Sequence, residues 1–160
     1  MVKELVDYIK TEAIVSAAFN FFINGMAAGL IHHKADTVAV DPISIAIDLV
    51  STCIMTFTLN ALFTRASVKR TKTIGILEPS NRIIRFLSSM FRHPVLFGLV
   101  AGIIASVILY IPAALIFILS GIMSIPFGVY IVLKCLFALI IGGGATALEL
   151  YLGMNSNAIV

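Results

Sequence analysis

Residues 95–120 read VLFGLVAGIIASVILYIPAALIFILS, an apolar run that contains no charged side chain. The hydrocarbon core of a bilayer is about 30 Å thick, and a helix that rises about 1.5 Å per residue needs roughly 20 apolar residues to cross it. Lipid offers no partner for backbone amides, and this run lacks the two-residue alternation of a membrane β-barrel. The run therefore predicts a transmembrane helix.

Three further apolar segments have the length of a membrane span. The four predicted spans cover about residues 13–31, 43–64, 95–120 and 127–153. Of the 160 residues, 60% are hydrophobic and only 12% are charged, whereas soluble domains carry about 25% charged residues. Pro42 and Pro126 are placed to open the second and fourth helices, where a missing amide hydrogen is tolerated. We expect one all-α membrane domain, 1–160, with four transmembrane helices.

The orientation of these helices is predicted from the basic residues of the connection 65–94. This connection carries one acid, Glu78, and seven bases: Arg65, Lys69, Arg70, Lys72, Arg82, Arg85 and Arg92. The first connection carries a single lysine with two aspartates, and the last carries no charge. Because basic loops are retained on the cytoplasmic side, we expect 65–94 and both termini to lie in the cytoplasm.

Within this connection the sequence predicts a short amphipathic helix. Asn81 is a suitable N-cap, and the stripe Ile83, Ile84, Leu87, Met90 and Phe91 is flanked by three arginines, Arg82, Arg85 and Arg92. Such a helix would lie in the headgroup layer and attract anionic lipid headgroups. Two interpretations remain open: a plain amphipathic connector, or a regulatory site for lipid or a partner protein.

Polar side chains inside the predicted spans form the candidate site. Measured along each helix from the outer membrane face, Asp48 lies about 9 Å deep, Lys134 about 12 Å and Asn24 about 11 Å. Asn20 and Thr52 lie one turn further in. Charged groups in a membrane tend to pair and to face the interior of a bundle. The sequence therefore predicts an Asp48–Lys134 ion pair ringed by amide and hydroxyl groups.

This cluster has two interpretations that the sequence leaves open. It is either a binding or proton-handling site that opens to the outside, or an ion pair that only fixes the register of the helices. Glu149 and Asn60 lie near the cytoplasmic boundary, where Glu149 is expected to reach water, with a gating or coupling role as the alternative. His32 and His33 are expected at the interface, and neither a metal site nor a cofactor is predicted.

Three segments resemble a family of uncharacterised small four-span proteins of bacterial inner membranes. They are NFFINGMAA at residues 20–28, SIAIDLVST at 44–52 and LKCLFA at 133–138. The resemblance implies a multi-pass protein of the bacterial cytoplasmic membrane and points to the same polar cluster. This chain departs from the family pattern because it has no tryptophan and carries Ala-Thr146-Ala where a Thr-Pro step is expected.

Two functions from different classes fit these observations. The first is a small transporter or channel for an ion or solute, assembled as a homo-oligomer, most simply a dimer that forms through glycine-lined helix faces. The second is a non-transporting accessory, regulatory or immunity subunit that acts through the basic cytoplasmic connection. The sequence contains no nucleophile–base pair or metal constellation, so no enzyme activity is predicted, and no nucleic-acid partner is expected.

Overall fold

The computed structural model describes residues 2–70 and 81–155, and almost all of them are helical. The helices are α1 Val2–Ile31, α2 Pro42–Arg70, α3 Arg82–Met90, α4 Pro94–Ser120 and α5 Phe127–Met154. All except α3 are long and apolar enough to cross a membrane, which confirms the predicted four-span helical architecture. Lys72, Glu78 and Ser80 of the predicted basic connection lie outside the described residues.

The first two membrane helices are longer than the apolar segments predicted. α1 begins at Val2 rather than near residue 13, and α2 continues to Arg70 rather than ending near 64. At about 1.5 Å per residue each helix exceeds the hydrocarbon thickness by several turns. Apolar length marks only the part of a helix that lies in lipid, and charged residues that favour helix carry it further. Pro42 does open α2, and Pro126 is the N-cap of α5, as predicted.

The four long helices pack in the order α1, α5, α2, α4. The extensive contacts are those of α1 with α5, α5 with α2, and α2 with α4. Among the described residues, α4 makes no extensive contact with α1 or α5. Side chains near the start of α2 bond to residues near the start of α5, and Thr64 reaches Glu149 further along both helices. The two central helices are therefore parallel to each other.

Glycines allow the outer helices to approach the central ones closely. A Cβ atom added at Gly98 of α4 would lie 2.4 Å from the Cα atom of Thr58, and one at Gly142 of α5 would lie 2.6 Å from the Asn20 side chain. Gly25 of α1 meets a cysteine sulfur of α5 equally closely. These glycines therefore serve packing within one chain, whereas a Cβ atom added at Gly29, Gly128 or Gly144 would meet nothing within 4 Å. Dimerisation through glycine-lined faces stays a prediction.

A two-stranded antiparallel sheet joins the two connections at one end of the molecule, an element that the sequence did not reveal. β1 (Thr37–Ala39) pairs with β2 (Ser124–Pro126), and Val38 lies opposite Ile125 in the centre. Both central residues are buried. The sheet thus fixes the starts of α2 and α5 side by side, and we refer to this end of the molecule as the sheet end.

The short helix α3 lies at the opposite end, which we call the α3 end. Asn81 caps it through a hydrogen bond from the Ile83 amide, as predicted. Its apolar stripe packs mainly on the bundle, with Phe91 fully buried against Phe97, while Ile83 stays 65% exposed. The predicted amphipathic helix is present, and its place in the headgroup layer stays a prediction. The side chains of the three predicted lipid-facing arginines are exposed: Arg82, Arg85 and Arg92.

Candidate functional site

A row of polar side chains runs along α2. Its members follow one another at four-residue spacing, so each lies one turn from the next, and the row turns around the helix axis by about 40° per step. We call them the α2 polar stripe: Asp48, Thr52, Thr56, Asn60 and Thr64. From the first to the last the stripe is about 24 Å long at the helical rise. All except Asp48 are buried, so polar groups occupy the interior of the molecule through most of the membrane thickness.

The sheet-end cluster, formed by Asp48, Thr52, Tyr130 and Lys134, contains the predicted ion pair. The Lys134 ammonium donates to the Asp48 carboxylate and, at 2.8 Å, to the Thr52 hydroxyl. The Tyr130 hydroxyl donates to the same Asp48 oxygen at 3.0 Å. The Lys134 side chain is only 10% exposed, whereas Asp48 is 36% exposed. The carboxylate is therefore the more accessible partner of the pair.

Tyr130 lies between this ion pair and the end of α1. Its ring contacts the His32 ring edge-on, with 5.2 Å between the ring centroids. The Lys134 ammonium lies over the Tyr130 ring, 5.9 Å from its centroid. A movement of His32 would therefore act on the hydrogen bond that Tyr130 donates to Asp48.

The middle cluster joins three helices through Asn60. Its side-chain oxygen accepts hydrogen bonds from Asn20 at 3.1 Å and from Ser16 at 3.3 Å, and its amide group donates to the Gly142 carbonyl at 3.1 Å. Thr146 of α5 donates to the Ser16 hydroxyl at 2.6 Å. Since Gly142 has no side chain, the Asn20 amide can close against the α5 backbone. The cluster thus connects α1, α2 and α5 one turn before Thr64.

Glu149 lies at the α3 end of the stripe and is fully buried, at 0% exposure. The Thr64 hydroxyl donates to its Oε2 atom at 3.4 Å, while Oε1 has no hydrogen-bond partner among the described residues. This corrects the expectation that Glu149 reaches water. The reason is the added length of α1, whose Leu5 packs on Leu150 and Met154 and covers this end of α5.

The structure divides the predicted amide and hydroxyl groups between separate clusters. Thr52 joins the ion pair as expected, but Asn20 bonds to Asn60 in the middle cluster. Asn24 donates to the backbone carbonyl of Asn20 on its own helix. Depth along a helix does not give the direction of a side chain, and α1 packs mainly on α5 rather than on α2. The single predicted cluster is therefore two clusters.

Several residues of these clusters were not identified from the sequence. They are Ser16, Thr56, Thr64, Tyr130 and Thr146. The four-residue spacing of the α2 polar stripe is a signal that the sequence already contains, and Tyr130 lies one turn before Lys134 on the same helix face. Isolated threonines in a membrane helix are usually satisfied by their own backbone, and for that reason they are easily overlooked.

The described residues contain no group of three histidine, cysteine or acidic side chains that could hold a metal ion. Cys53 and Cys135 are buried free thiols. The polar groups of the described clusters are carboxylates, an ammonium group, hydroxyls and amides. Their oxygen atoms can bind cations, and the carboxylates and hydroxyls can also accept and donate protons.

No protein-family model, curated protein or solved structure matches this chain. The resemblance to small four-span membrane proteins therefore stays a prediction. The functional conclusion depends on the geometry of the polar groups.

Proposed function

We propose that this protein is a small transporter or channel of the bacterial inner membrane that moves a small cation, with both termini in the cytoplasm. The observation that supports this most directly is the α2 polar stripe, which begins at the Asp48–Lys134 ion pair and continues to the buried Glu149. Polar groups at membrane depth are energetically costly and are typically found on ion or substrate pathways. A purely structural ion pair would not require the rest of the stripe.

In this proposal the Asp48 carboxylate binds the cation. Before the cation arrives, the Lys134 ammonium balances the negative charge of Asp48. In the present arrangement the ammonium occupies the carboxylate, so the site is closed to other cations. A cation that enters from the sheet end competes with Lys134 for Asp48, and Tyr130 provides a further oxygen atom. The displaced Lys134 ammonium keeps its hydrogen bond to Thr52.

The test is cation uptake by the full-length protein in proteoliposomes under a potassium diffusion potential, measured with sodium and with protons. The variant Asp48→Asn keeps the size and hydrogen-bonding capacity of the side chain but removes its charge. We expect its uptake to fall to the level of protein-free vesicles. Asp41→Asn, at the surface of the sheet end, is the matched control and should retain uptake. Unchanged uptake in Asp48→Asn would refute the role of this residue.

A second copy of the chain is part of this proposal. Four helices packed in a row leave the outer face of α4 exposed, with Ile104, Val107 and Ile108 among its apolar residues. A dimer formed here would cover this apolar face. Light scattering of the detergent-solubilised protein, corrected for bound detergent, measures the number of copies. A monomeric mass would contradict the proposed dimer.

The alternative function is an accessory or regulatory subunit that acts through α3. It is favoured by the exposed side chains of Arg82 and Arg85, which lie beside the exposed apolar residues Ile83 and Phe86. In that case a double variant Arg82→Gln/Arg85→Gln loses a partner protein or anionic lipid, whereas Asp48→Leu/Lys134→Met keeps the function. Retained cation uptake in the arginine variant together with loss in Asp48→Asn would exclude this alternative.

A further inference from the structure

We infer that the transported cation is a proton and that Glu149 is the group that holds it at the α3 end. This inference depends on the proposed function, since it names the ion that moves along the α2 polar stripe. It begins from the geometry of Glu149, a fully buried carboxyl group with one long hydrogen bond and a second oxygen that has no partner among the described residues.

In the part of the chain that the structure describes, the surroundings of Glu149 do not compensate a negative charge. On α2, Arg65 donates to the backbone carbonyl of Arg92, and on α1 the Tyr8 hydroxyl shares a hydrogen bond with Ser67. On α3 the two arginines are exposed, and on α5 the neighbouring Tyr151 is 37% exposed. Among the described residues no cationic group forms an ion pair with Glu149.

These surroundings favour a proton over a metal cation. Burial of a carboxylate without a cation is strongly unfavourable, whereas the protonated acid is neutral and adds a donor of its own. A metal cation needs several oxygen ligands, and only Thr64 brings a side-chain oxygen to Glu149 within hydrogen-bonding distance among the described residues. A proton needs a single oxygen, and Oε1 is that oxygen.

The middle cluster separates the two carboxyl groups. Hydroxyls such as Thr56, whose oxygen has no partner among the described atoms, can both accept and donate a proton. In the present arrangement the amide groups of Asn20 and Asn60 block the proton route, because the side-chain oxygen of Asn60 already accepts hydrogen bonds from two donors, Asn20 and Ser16. A proton therefore reaches Glu149 only when this cluster opens.

The proton balance of one passage is simple. At rest Glu149 carries a proton on Oε1, and a passage begins when that O–H bond breaks and the proton leaves to water at the α3 end. A proton from water at the sheet end forms an O–H bond with Asp48 as the ion pair with Lys134 separates. This second O–H bond then breaks, the proton passes through the opened middle cluster, and a new O–H bond forms on Oε1 of Glu149. The Asp48–Lys134 ion pair re-forms, so the protein ends as it began and one proton has crossed.

The experiment uses the full-length protein in proteoliposomes that contain a pH-sensitive dye, under a potassium diffusion potential. Glu149→Gln keeps the shape of the side chain and a carbonyl that accepts from Thr64, but it cannot carry a proton. We expect wild-type vesicles to acidify and Glu149→Gln vesicles to behave as protein-free ones. Glu12→Gln, which alters a half-exposed acid on α1, is the matched control and should acidify as the wild type does.

Infrared spectroscopy provides a readout that does not depend on transport. At neutral pH the wild type should show the carbonyl band of a protonated carboxylic acid, which shifts in heavy water. The band should disappear in Glu149→Gln and persist in Glu12→Gln and Asp48→Asn. Absence of the band from the folded wild type would overturn the assignment of Glu149.

The transport outcomes separate this inference from the proposed function. If the wild type takes up sodium but not protons, or if Glu149→Gln acidifies normally while Asp48→Asn does not, the inference about Glu149 is wrong and the transport proposal stands. If the wild type takes up neither ion above protein-free vesicles, the transport proposal itself is wrong. Circular dichroism and gel filtration of each variant show whether a loss reflects misfolding.

Discussion

The contact of α2 with α4 and the contact of α1 with α5 are both close, but they are built differently. In the α2–α4 contact, Gly98 and Gly102 lie against the backbone of α2, and no side-chain hydrogen bond joins these two helices in the described parts of the chain. In the α1–α5 contact, Gly142 lies against the Asn20 side chain and Thr146 bonds to Ser16.

The difference indicates which half of the molecule is a scaffold and which half can move. Backbone-to-backbone packing at glycines leaves little room for an alternative arrangement, because any shift separates many van der Waals contacts at once. Hydrogen bonds between membrane helices contribute only about 0.6 kcal/mol each on average, and polar groups can exchange them for other partners. We therefore expect α1 to move relative to α5 and α2, while α2 and α4 stay together.

The largest effect is expected from breaking the ion pair between the two central helices. Lys134→Met leaves the Asp48 carboxylate without its cation, and we expect a loss of about 3 kcal/mol of unfolding free energy, the lower end of the range for buried pairs, because Asp48 is partly exposed. Unfolding in mixed detergent micelles measures this loss. The control Lys69→Met, on an exposed side chain near the end of α2, should be close to neutral.

A double variant sharpens this prediction. Asp48→Leu/Lys134→Met removes both charges, so its stability should recover toward that of the wild type. Cation uptake should be absent in this double variant, since the carboxylate is gone. If the double variant is as unstable as Lys134→Met alone, an unpaired charge is not the cause of the loss.

The scaffold contact is tested by adding one methyl group to it. The Cβ atom of Gly98→Ala would lie 2.4 Å from the Thr58 Cα atom, so the helices must separate, and overpacking of this kind costs about 1–3 kcal/mol. Gly144→Ala on α5, where a Cβ atom meets nothing within 4 Å, is the matched control and should not reduce stability. Equal stability of the two variants in micelles would show that α2 and α4 are not held as closely as described.

The polar contact is tested at Asn60. Asn60→Leu removes three hydrogen bonds of the middle cluster, each contributing about 0.6 kcal/mol, so the expected loss is about 1–2 kcal/mol. Because the hydrogen bonds that close the middle cluster are lost, proton uptake in proteoliposomes should rise rather than fall. Asn24→Leu is the control, since its side chain bonds only to its own helix. A decrease in uptake by Asn60→Leu would indicate that Asn60 carries the ion instead of blocking it.

The sequence was sufficient for those parts of the fold that depend on position along a helix. Apolar length identified four spans, and counting from Pro42 and Pro126 placed Asp48 and Lys134 at matching depth because both helices start beside the sheet. The sequence was insufficient to predict side-chain contacts that depend on which helices are neighbours. Asn24 has a suitable depth but does not reach the ion pair, and Glu149 is covered by the start of α1. Close packing at glycines decides which helices are adjacent. No local sequence pattern reveals which helix a given glycine packs against.

The smallest effect is expected where the two central helices begin. Asp41 caps α2 by accepting hydrogen bonds from the Ile43 and Ser44 amides and the Ser44 hydroxyl, whereas the N-cap of α5, Pro126, has no side-chain cap. The hydrogen bond from the Ser44 side chain, followed by that from its amide, holds the pKa of Asp41 below its ordinary value of 3.8. The stabilisation is therefore complete above pH 3.8 and is lost as the pH falls through the lowered pKa.

Amide hydrogen exchange in micelles, corrected for intrinsic rates, measures this local change. The Ile43 and Ser44 amides should lose protection in acid, and Asp41→Asn should remove that pH dependence. The Phe127 amide at the start of α5, which donates to the backbone carbonyl of Asp36, is the internal control and should keep its protection. If both helix starts lose protection together, acid opens the whole sheet end and the cap of Asp41 has no separate effect. A loss confined to α2 would instead show that the two central helices are fixed at their starts by different interactions, a side-chain cap in one and backbone pairing in the other.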